Sequence, residues 1–542
     1  MGTTDRDSID QFVRAVADSS VSRRELMKRA AALGISIPAV GAVVGMQVLG
    51  VNAQAAEPTG KLTISMSVEP DTLENWKAYS TDGHPILRNV QEAFLNRDPV
   101  SNELIGELAT SWEQTDELTW RFKLREGVTF HNGDAFNAEV AAFGINYTWS
   151  EENGFEIYQF VGPNMTATAV DEYTVDVATV EPDPILPARL YFSPIPNMIQ
   201  VQERPESLVT EPIGTGPYSF VEWNRGQYIR ITANPTWWGL NSPDAHGQVT
   251  IKDCEFVFRA ESAVRSAQVV AGEAQIGRFL APEDCATTPS CLQVSSVETI
   301  FLRLDTNHVA MKDIRIRQAI AMAVDKQSIA DQLFGGGEPA SQLVGPSATG
   351  YNADLAPYPF DMDAATALVA EAAAAGVPVD AEITVVTREG IYLRNDELAE
   401  YVAGQLRDIG LNCKSEVIEP ALYNPEYSKN IKDVSDTRGW ITTNPHGNEI
   451  MDVSATASSY YRCDGGASLY CDPALDEALT AASALTGEER GPALAAVTKM
   501  YYDAYASVPV IYMPLNYGVV ANLTWTPRLD AFMLLKEMTL TA

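Results

Sequence analysis

IGTGPYSFVEWNRGQYIRITANPTWWG, residues Ile213 to Gly239, is the stretch on which the fold turns. Gly214-Thr215-Gly216-Pro217 superficially resembles a phosphate loop, but Pro217 stands where such a loop wants a backbone donor. The segment therefore predicts a tight turn ahead of the strand YSFVEW. Asn224-Arg225-Gly226 then supplies a turn, and QYIRIT returns as the second arm of a β-hairpin.

Other strands surround it. LTISMSV places Leu62, Ile64, Met66 and Val68 on one face, LTWRFKL (Leu118–Leu124) alternates likewise, and IKDCEFVF (Ile251–Phe258) is a further strand. After about residue 300 the texture shifts toward helix. Asp313 is a cap for IRIRQAIAMAVDKQSIADQLF, read as one helix that Gly335-Gly336-Gly337 stops. Asp363 opens an alanine-rich helix closed by Gly376 and Pro378. Strand ITVVT precedes a helix carrying Leu398, Val402, Leu406 and Ile409, with Gly410 past its end. Asp472-Pro473 begins another, and Thr486 with Glu489 has capping-box spacing. The fold class is α/β, with no internal repeat and no long linker.

The chain has 542 residues, 46% hydrophobic and 20% charged, a globular composition. Such a length exceeds one core, so two or more lobes are expected. A net charge of −34 speaks against nucleic acid and anionic lipid as partners, since nothing neutralises rows of phosphates. The amino terminus contrasts with that acidity. Arg23-Arg24, within SRRELMK, precede a run without charge from Ala30 to Ala56, closed by Ala53-Gln54-Ala55. This is the anatomy of a twin-arginine export signal over residues 1–55, with a retained membrane anchor as the alternative. The rest is expected outside the cytoplasm, in the periplasm or an equivalent space.

Six cysteines lie beyond the signal, and an oxidising compartment permits three disulfides. Cys285 with Cys291, and Cys463 with Cys471, are near enough to staple single loops. Cys254 and Cys413 remain as a pair by subtraction alone. No cysteine spacing fits zinc, and no metal or cofactor is expected. His84, His131, His246, His308 and His446 are scattered and are read as surface or hydrogen-bonded structural histidines. The sequence holds no G-x-S-x-G, H-E-x-x-H, P-loop or G-x-G-x-x-G. No catalytic residue is assigned, and no enzyme is expected. A secreted hydrolase is the weaker reading.

Four segments occur in an order that resembles a known family. They are LTISMSVEPDTLENW, SWEQTDELTWRFKLREGVTFHNGD, the opening IGTGPYSFVEWNRGQYIRITANPTWWG, and IRIRQAIAMAVDKQSI. The chain is similar, from about 61 to 525, to the solute-binding proteins of ABC importers in the oligopeptide, dipeptide and nickel group, bacterial extracellular solute-binding protein family 5. The resemblance implies a two-lobed flytrap fold with a ligand cleft between lobes. Lobe I is expected over 56–298 with a C-terminal return at 512–542, and lobe II over 299–511. The crossings fall at VETIFLRL and SVPVIYMP. Implied partners are a small peptide or peptide-like ligand and the permease subunits of the transporter, with the protein itself a monomer. An opine-like, sugar-derived or other non-peptide organic solute is the alternative.

The resemblance also implies site residues. Arg388 falls where relatives pair an arginine with the ligand carboxylate, a bidentate task suited to guanidinium, with a surface ion pair as the bland alternative. Gly439-Trp440 falls where relatives have a Gly-Trp lining the cleft, although buried core is the other reading. Peptide binders carry an Asp three residues after that Trp, to hold the peptide ammonium. Here the position is Thr443, followed by Asn444, and a neutral hydroxyl offers no such charge. Either Glu449 or another carboxylate substitutes, or the solute lacks a free amine. Cys463 and Cys471 match a loop disulfide of some relatives. From the other lobe, Glu69, Trp76 and Asp82 lie where the family usually faces the cleft.

Overall fold

The computed structural model describes residues 57–74, 76, 83–150, 152–155 and 165–541, so the export-signal segment and Asp82 lie outside it. Strand β1 is Thr59–Met66, and the expected hairpin is formed by β2 (Tyr218–Asn224) and β3 (Tyr228–Ala233). Gly226 turns it with φ +75°. The turn ahead of β2 presses on helix α1 (His84–Val90). A Cβ on Gly214 would collide with the Val90 carbonyl, and one on Gly216 would sit 2.6 Å from the Asn89 oxygen. Both ends of the stretch then converge on buried Glu92. It accepts Thr215 Oγ1 at 2.9 Å, Trp237 Nε1 at 3.0 Å and Trp238 Nε1 at 2.9 Å. Burial, reinforced by the Glu107 carboxylate, still pushes its pKa up to about 7.

The main sheet continues with β4 (Ile251–Phe258), β5 (Ile276–Gly277), β6 (Ser290–Leu304), β7 (Ile383–Arg388), β8 (Cys413–Ile418), β9 (Trp440–Gly447) and β10 (Ser507–Val519). Their order is β8-β7-β9-β6-β10-β5-β1-β4-β3-β2. LTWRFKL lies in a separate four-stranded antiparallel sheet, as Thr119–Leu124. Strands β6 and β10 pair from Ser290↔Val519 to Arg303↔Ser507, and their register breaks between Ser295 and Thr299. The break separates two cores. On one side Leu62, Ile64 and Phe256 pack with Leu515, Tyr517 and Met533. On the other Ile300, Leu302 and Leu304 pack with Ile441, Val508 and Val510.

The helices of the second half are α2 (Ile314–Ala323), α3 (Lys326–Leu333), α4 (Met362–Ala374), α5 (Asn395–Asp408), α6 (Pro420–Tyr427), α7 (Val453–Tyr460), α8 (Pro473–Ser483) and α9 (Gly487–Asp503). Five expectations need correction. The helix begun at Asp313 is two helices, because Asp325 caps a new one by accepting from Ser328 N at 3.0 Å, which leaves Val324 extended. Helix α4 is capped by Asp361, which accepts from Ala364 N, not by Asp363. Thr486 makes no side-chain cap bond. Val68 lies beyond the end of β1 and is 54% exposed. Disulfides join Cys285 to Cys291 and Cys463 to Cys471, whereas Cys254 on β4 and Cys413 on β8 are separate buried thiols. Strand order keeps them apart, so the pairing by subtraction fails.

Candidate functional site

Strand β9 starts with a conformation only glycine takes easily. Gly439 has φ +64°, and a Cβ there would lie 2.6 Å from the Glu382 carbonyl oxygen. Next to it the Asp305 carboxylate, fully buried, receives Arg438 Nε and Nη2, each at 2.6 Å. It also accepts the Trp440 backbone N–H at 3.0 Å. That fork fixes where the indole goes. Trp440 is half-buried, lies nearly parallel to Tyr423 (15°, centroids 6.2 Å apart), and has the Arg438 guanidinium 4.6 Å from its ring centre.

Strand alternation sorts the residues beyond Trp440 onto two faces. Thr442, Asn444 and His446 pair across β6 with Arg303, Phe301 and Thr299, and Trp440 and Thr442 pair across β7 with Thr384 and Val386. Arg388 continues that row at the end of β7. The opposite face carries Ile441 and Thr443 opposite Leu304 and Leu302, the core layer. The structure thus groups Arg388, Trp440 and Asn444 on one face. It places Thr443 on the other, fully buried, where its carbonyl accepts from Tyr392 Oη at 3.4 Å.

Tyrosines from α6 and α7 cover the polar face. Tyr423 stacks on Tyr427 with centroids 5.3 Å apart and donates to Asn444 Oδ1 at 2.5 Å. Tyr427 Oη donates to Tyr460 Oη at 3.2 Å, and Tyr460 packs against Phe301 and His446. Burial pushes the Tyr460 phenol well above its ordinary range and takes His446 down to about 4. His446 is therefore a neutral ring at neutral pH, in contact with Thr456 Oγ1 at 2.7 Å through Nε2.

Arg388 reaches only Asn424 Oδ1, at 3.4 Å, and has no ion-pair partner among the described residues. Glu449 is half-buried and folds back, so that a Cβ on Gly447 would collide with its carboxylate. From the amino-terminal half, Glu69 closes the β2–β3 turn by accepting Trp223 Nε1 at 2.6 Å and Gly226 N at 3.0 Å. Trp76 is fully buried in the core, edge-on to Tyr147 at 6.2 Å. Neither lies on the polar face of β9. Among the described residues there is no group of His, Cys, Asp and Glu placed to hold a metal, and no helix long and apolar enough to cross a membrane.

Sequence reasoning missed Arg303, Asp305, Tyr423, Tyr427 and Arg438. The alternation in IFLRL carried the signal for Arg303, and the four-residue spacing in YNPEY carried it for the tyrosine pair.

Residues 103–461 match the profile described as bacterial extracellular solute-binding proteins, family 5, middle. The chain is 24% identical over 509 residues to a probable di/tripeptide-binding protein 5 of Pseudomonas aeruginosa, covering 86% of this chain and 93% of that one. It is 25% identical over 397 residues to a dipeptide-binding protein of Escherichia coli, covering 67% and 71%. Among solved structures, the substrate-binding protein CtaP of Listeria monocytogenes superposes with TM-score 0.76 at 20% identity, over 90% of this chain and 100% of the other. AgaA of A. tumefaciens R10, in complex with agropinic acid, gives TM-score 0.74 at 20% identity, over 89% and 99%.

Proposed function

The chain belongs to the bacterial extracellular solute-binding proteins of family 5, and from that premise we propose that it captures a small peptide or peptide-like solute and delivers it to an ABC permease. Its fold is the two-lobed α/β periplasmic-binding-protein fold with a ligand cleft between the lobes. Proteins of this family work outside the cytoplasm. The lobes are 56–298 with 512–542, and 299–511, a division favoured by the register break in β6–β10 and the separate cores beside it. Residues 1–55 act as a twin-arginine export signal. Replacing Arg23 and Arg24 by lysines should leave the protein in the cytoplasm, and undiminished export would reject that role.

One observation carries the ligand reading: Arg388 presents a guanidinium without an ion-pair partner among the described residues, beside Trp440 and Asn444 on a single face. Trp440 forms a wall, Asn444 supplies polar contact, and Arg388 takes a carboxylate of the solute. Closure depends on differential contact. The solute must gain about 5.5 kcal/mol more in the closed form to move the lobes from 1:99 to 99:1. The protein acts as a monomer, which sedimentation would check.

A second reading, a non-peptide organic acid, is favoured by Thr443. Its side chain lies on the core face, so it offers nothing to a peptide ammonium. Native mass spectrometry of gently purified protein, followed by release and identification of the bound molecule, separates the readings. A stoichiometric peptide supports the first, and an acid without a free amine supports the second. A protein that neither retains nor gains thermal stability from either class would overturn both.

A further inference from the structure

Several buried arginines of this protein use most of their donors. Arg88 meets Glu107 at 3.0 Å, Arg490 meets Asp452 at 2.9 Å, and Arg528 meets Asp530 and Glu537 at 3.1 and 2.8 Å. Arg265 donates to four backbone carbonyls, of Arg278, Arg259, Ala260 and Phe279. Arg303 has neither arrangement. It is 3% exposed, its guanidinium lies 4.1 Å from the Tyr427 ring centre, and Nη2 donates to the Tyr427 carbonyl at 2.8 Å. Nε and Nη1 have no hydrogen-bond partner among the described residues. A buried charge so poorly satisfied costs stability, and such a group calls for an explanation.

Its place supplies one. Arg303 pairs across β9 with Thr442, which pairs across β7 with Val386, two residues short of Arg388. From strand spacing and rise, the two arginine Cα atoms are about 12 Å apart on one face. On that face Asp305, just past β6, is already occupied by Arg438 and the Trp440 N–H, and Glu416 of β8, level with Val386, makes no ion pair with Arg303 or Arg388. Arg303 and Arg388 thus stand on this face without an ion-pair partner among the described residues, in a chain of net charge −34. Buried His446 adds no charge there at neutral pH, and burial keeps Tyr423 and Tyr460 protonated.

Building on the reading of this face as the cleft wall, we propose that Arg303 is a second anion anchor. The solute is then a peptide-sized dicarboxylate, one acidic group held by Arg388 and the other by Arg303 after Tyr427 gives way. A free amine is not required. A carboxylate bridges Nε and Nη2, the edge that Arg438 offers Asp305, once the Tyr427 carbonyl withdraws from Nη2.

Titration calorimetry of the processed chain with three isosteric probes tests this. They are Glu-Ala, Gln-Ala, and glutaryl-alanine, which is Glu-Ala without its amine. Tenfold or tighter binding of both dicarboxylates over Gln-Ala is expected, falling below twofold in Arg303→Met, with partial return in Arg303→Lys. Equal affinity for Glu-Ala and Gln-Ala in the unaltered protein overturns the proposal while leaving a peptide receptor standing. A preference that survives Arg303→Met overturns it too. Failure of all three probes to bind overturns it together with the peptide-like reading. The isostere comparison needs no variant, so a folding defect in Arg303→Met leaves the test intact.

Discussion

Two regions of this protein handle buried charge in opposite ways. Around α1, Arg88 and Lys536 meet Glu107, Arg528 meets Asp530 and Glu537, and Asn96 bridges the two sets, so that each cation meets a carboxylate. On the polar face of β9, Arg303 meets an aromatic ring and one carbonyl, and Arg388 meets an amide. Charges satisfied from within hold a fold together and leave nothing over for a solute. Charges left unsatisfied weaken the fold slightly and keep their bonding capacity for a ligand. On the proposed reading, the first region holds the fold and the second recognises the solute.

The largest effect should come from breaking the first region. Asp530 accepts from Arg528 Nε at 3.1 Å, from the Tyr191 hydroxyl and from Phe532 N at 3.0 Å. Asp530→Ala strands the Arg528 charge with Glu537 alone and should lower unfolding stability by about 3–5 kcal/mol in urea titrations. A loss under about 1 kcal/mol would erase the contrast with the β9 face.

The next effect tests the β9 face by adding charge to it. Burial lowers the His446 pKa from 6.5 to about 4. Between those values the unfolded chain holds a proton that the folded protein does not. Stability is therefore full above pH 6.5 and falls as pH drops toward 4, by roughly 3 kcal/mol from this residue. His446→Gln should flatten that part of the stability–pH curve, and an unchanged slope would show that the proton goes elsewhere.

The hairpin, the alternating strands and most helix ends are legible because each rests on local spacing: period two, an Asx cap, a glycine at positive φ. Competition between equally good local signals is where legibility fails. Asp325 outcompetes helix continuation, and Asp361 precedes Asp363 as a cap. The fate of Cys254 and Cys413 depends on strand order, which no local pattern encodes. The site is half legible. Thr443 lies three residues from Trp440, and on a strand an odd offset must reverse the face. Taking GWITTNPHGNE for its side-chain chemistry rather than as a strand hides that. Arg303 is hidden because IFLRL reads as an apolar crossing, although its core residues Ile300, Leu302 and Leu304 alternate with it.

A smaller effect concerns what steadies the β9 side beside the Arg438–Asp305 pair. The Cys463–Cys471 disulfide has a sequence separation of 8, and Asn430 Nδ2 donates to the Cys463 carbonyl at 3.1 Å. Closing a loop of this length contributes about 2.5 kcal/mol in the chain-entropy picture. Replacing both cysteines by serine should lower stability by about that amount while changing solute affinity less than twofold. A large loss of affinity would mean that the staple shapes the face itself.

The smallest expected change in stability is the most telling. Arg303→Met removes a buried charge whose desolvation is offset by one carbonyl and one ring, and it keeps most of the side-chain volume. The lost cation–π contact and hydrogen bond are each worth about 1 kcal/mol. Relief of the unpaired charge runs the other way by a similar amount, so unfolding stability should stay within about 1 kcal/mol of the unaltered protein. Set beside Asp530→Ala, the pair of variants measures the contrast directly. If Arg303→Met instead costs about 3 kcal/mol or more, the residue is a structural strut like Arg528. The β9 face would then hold one anion anchor, Arg388.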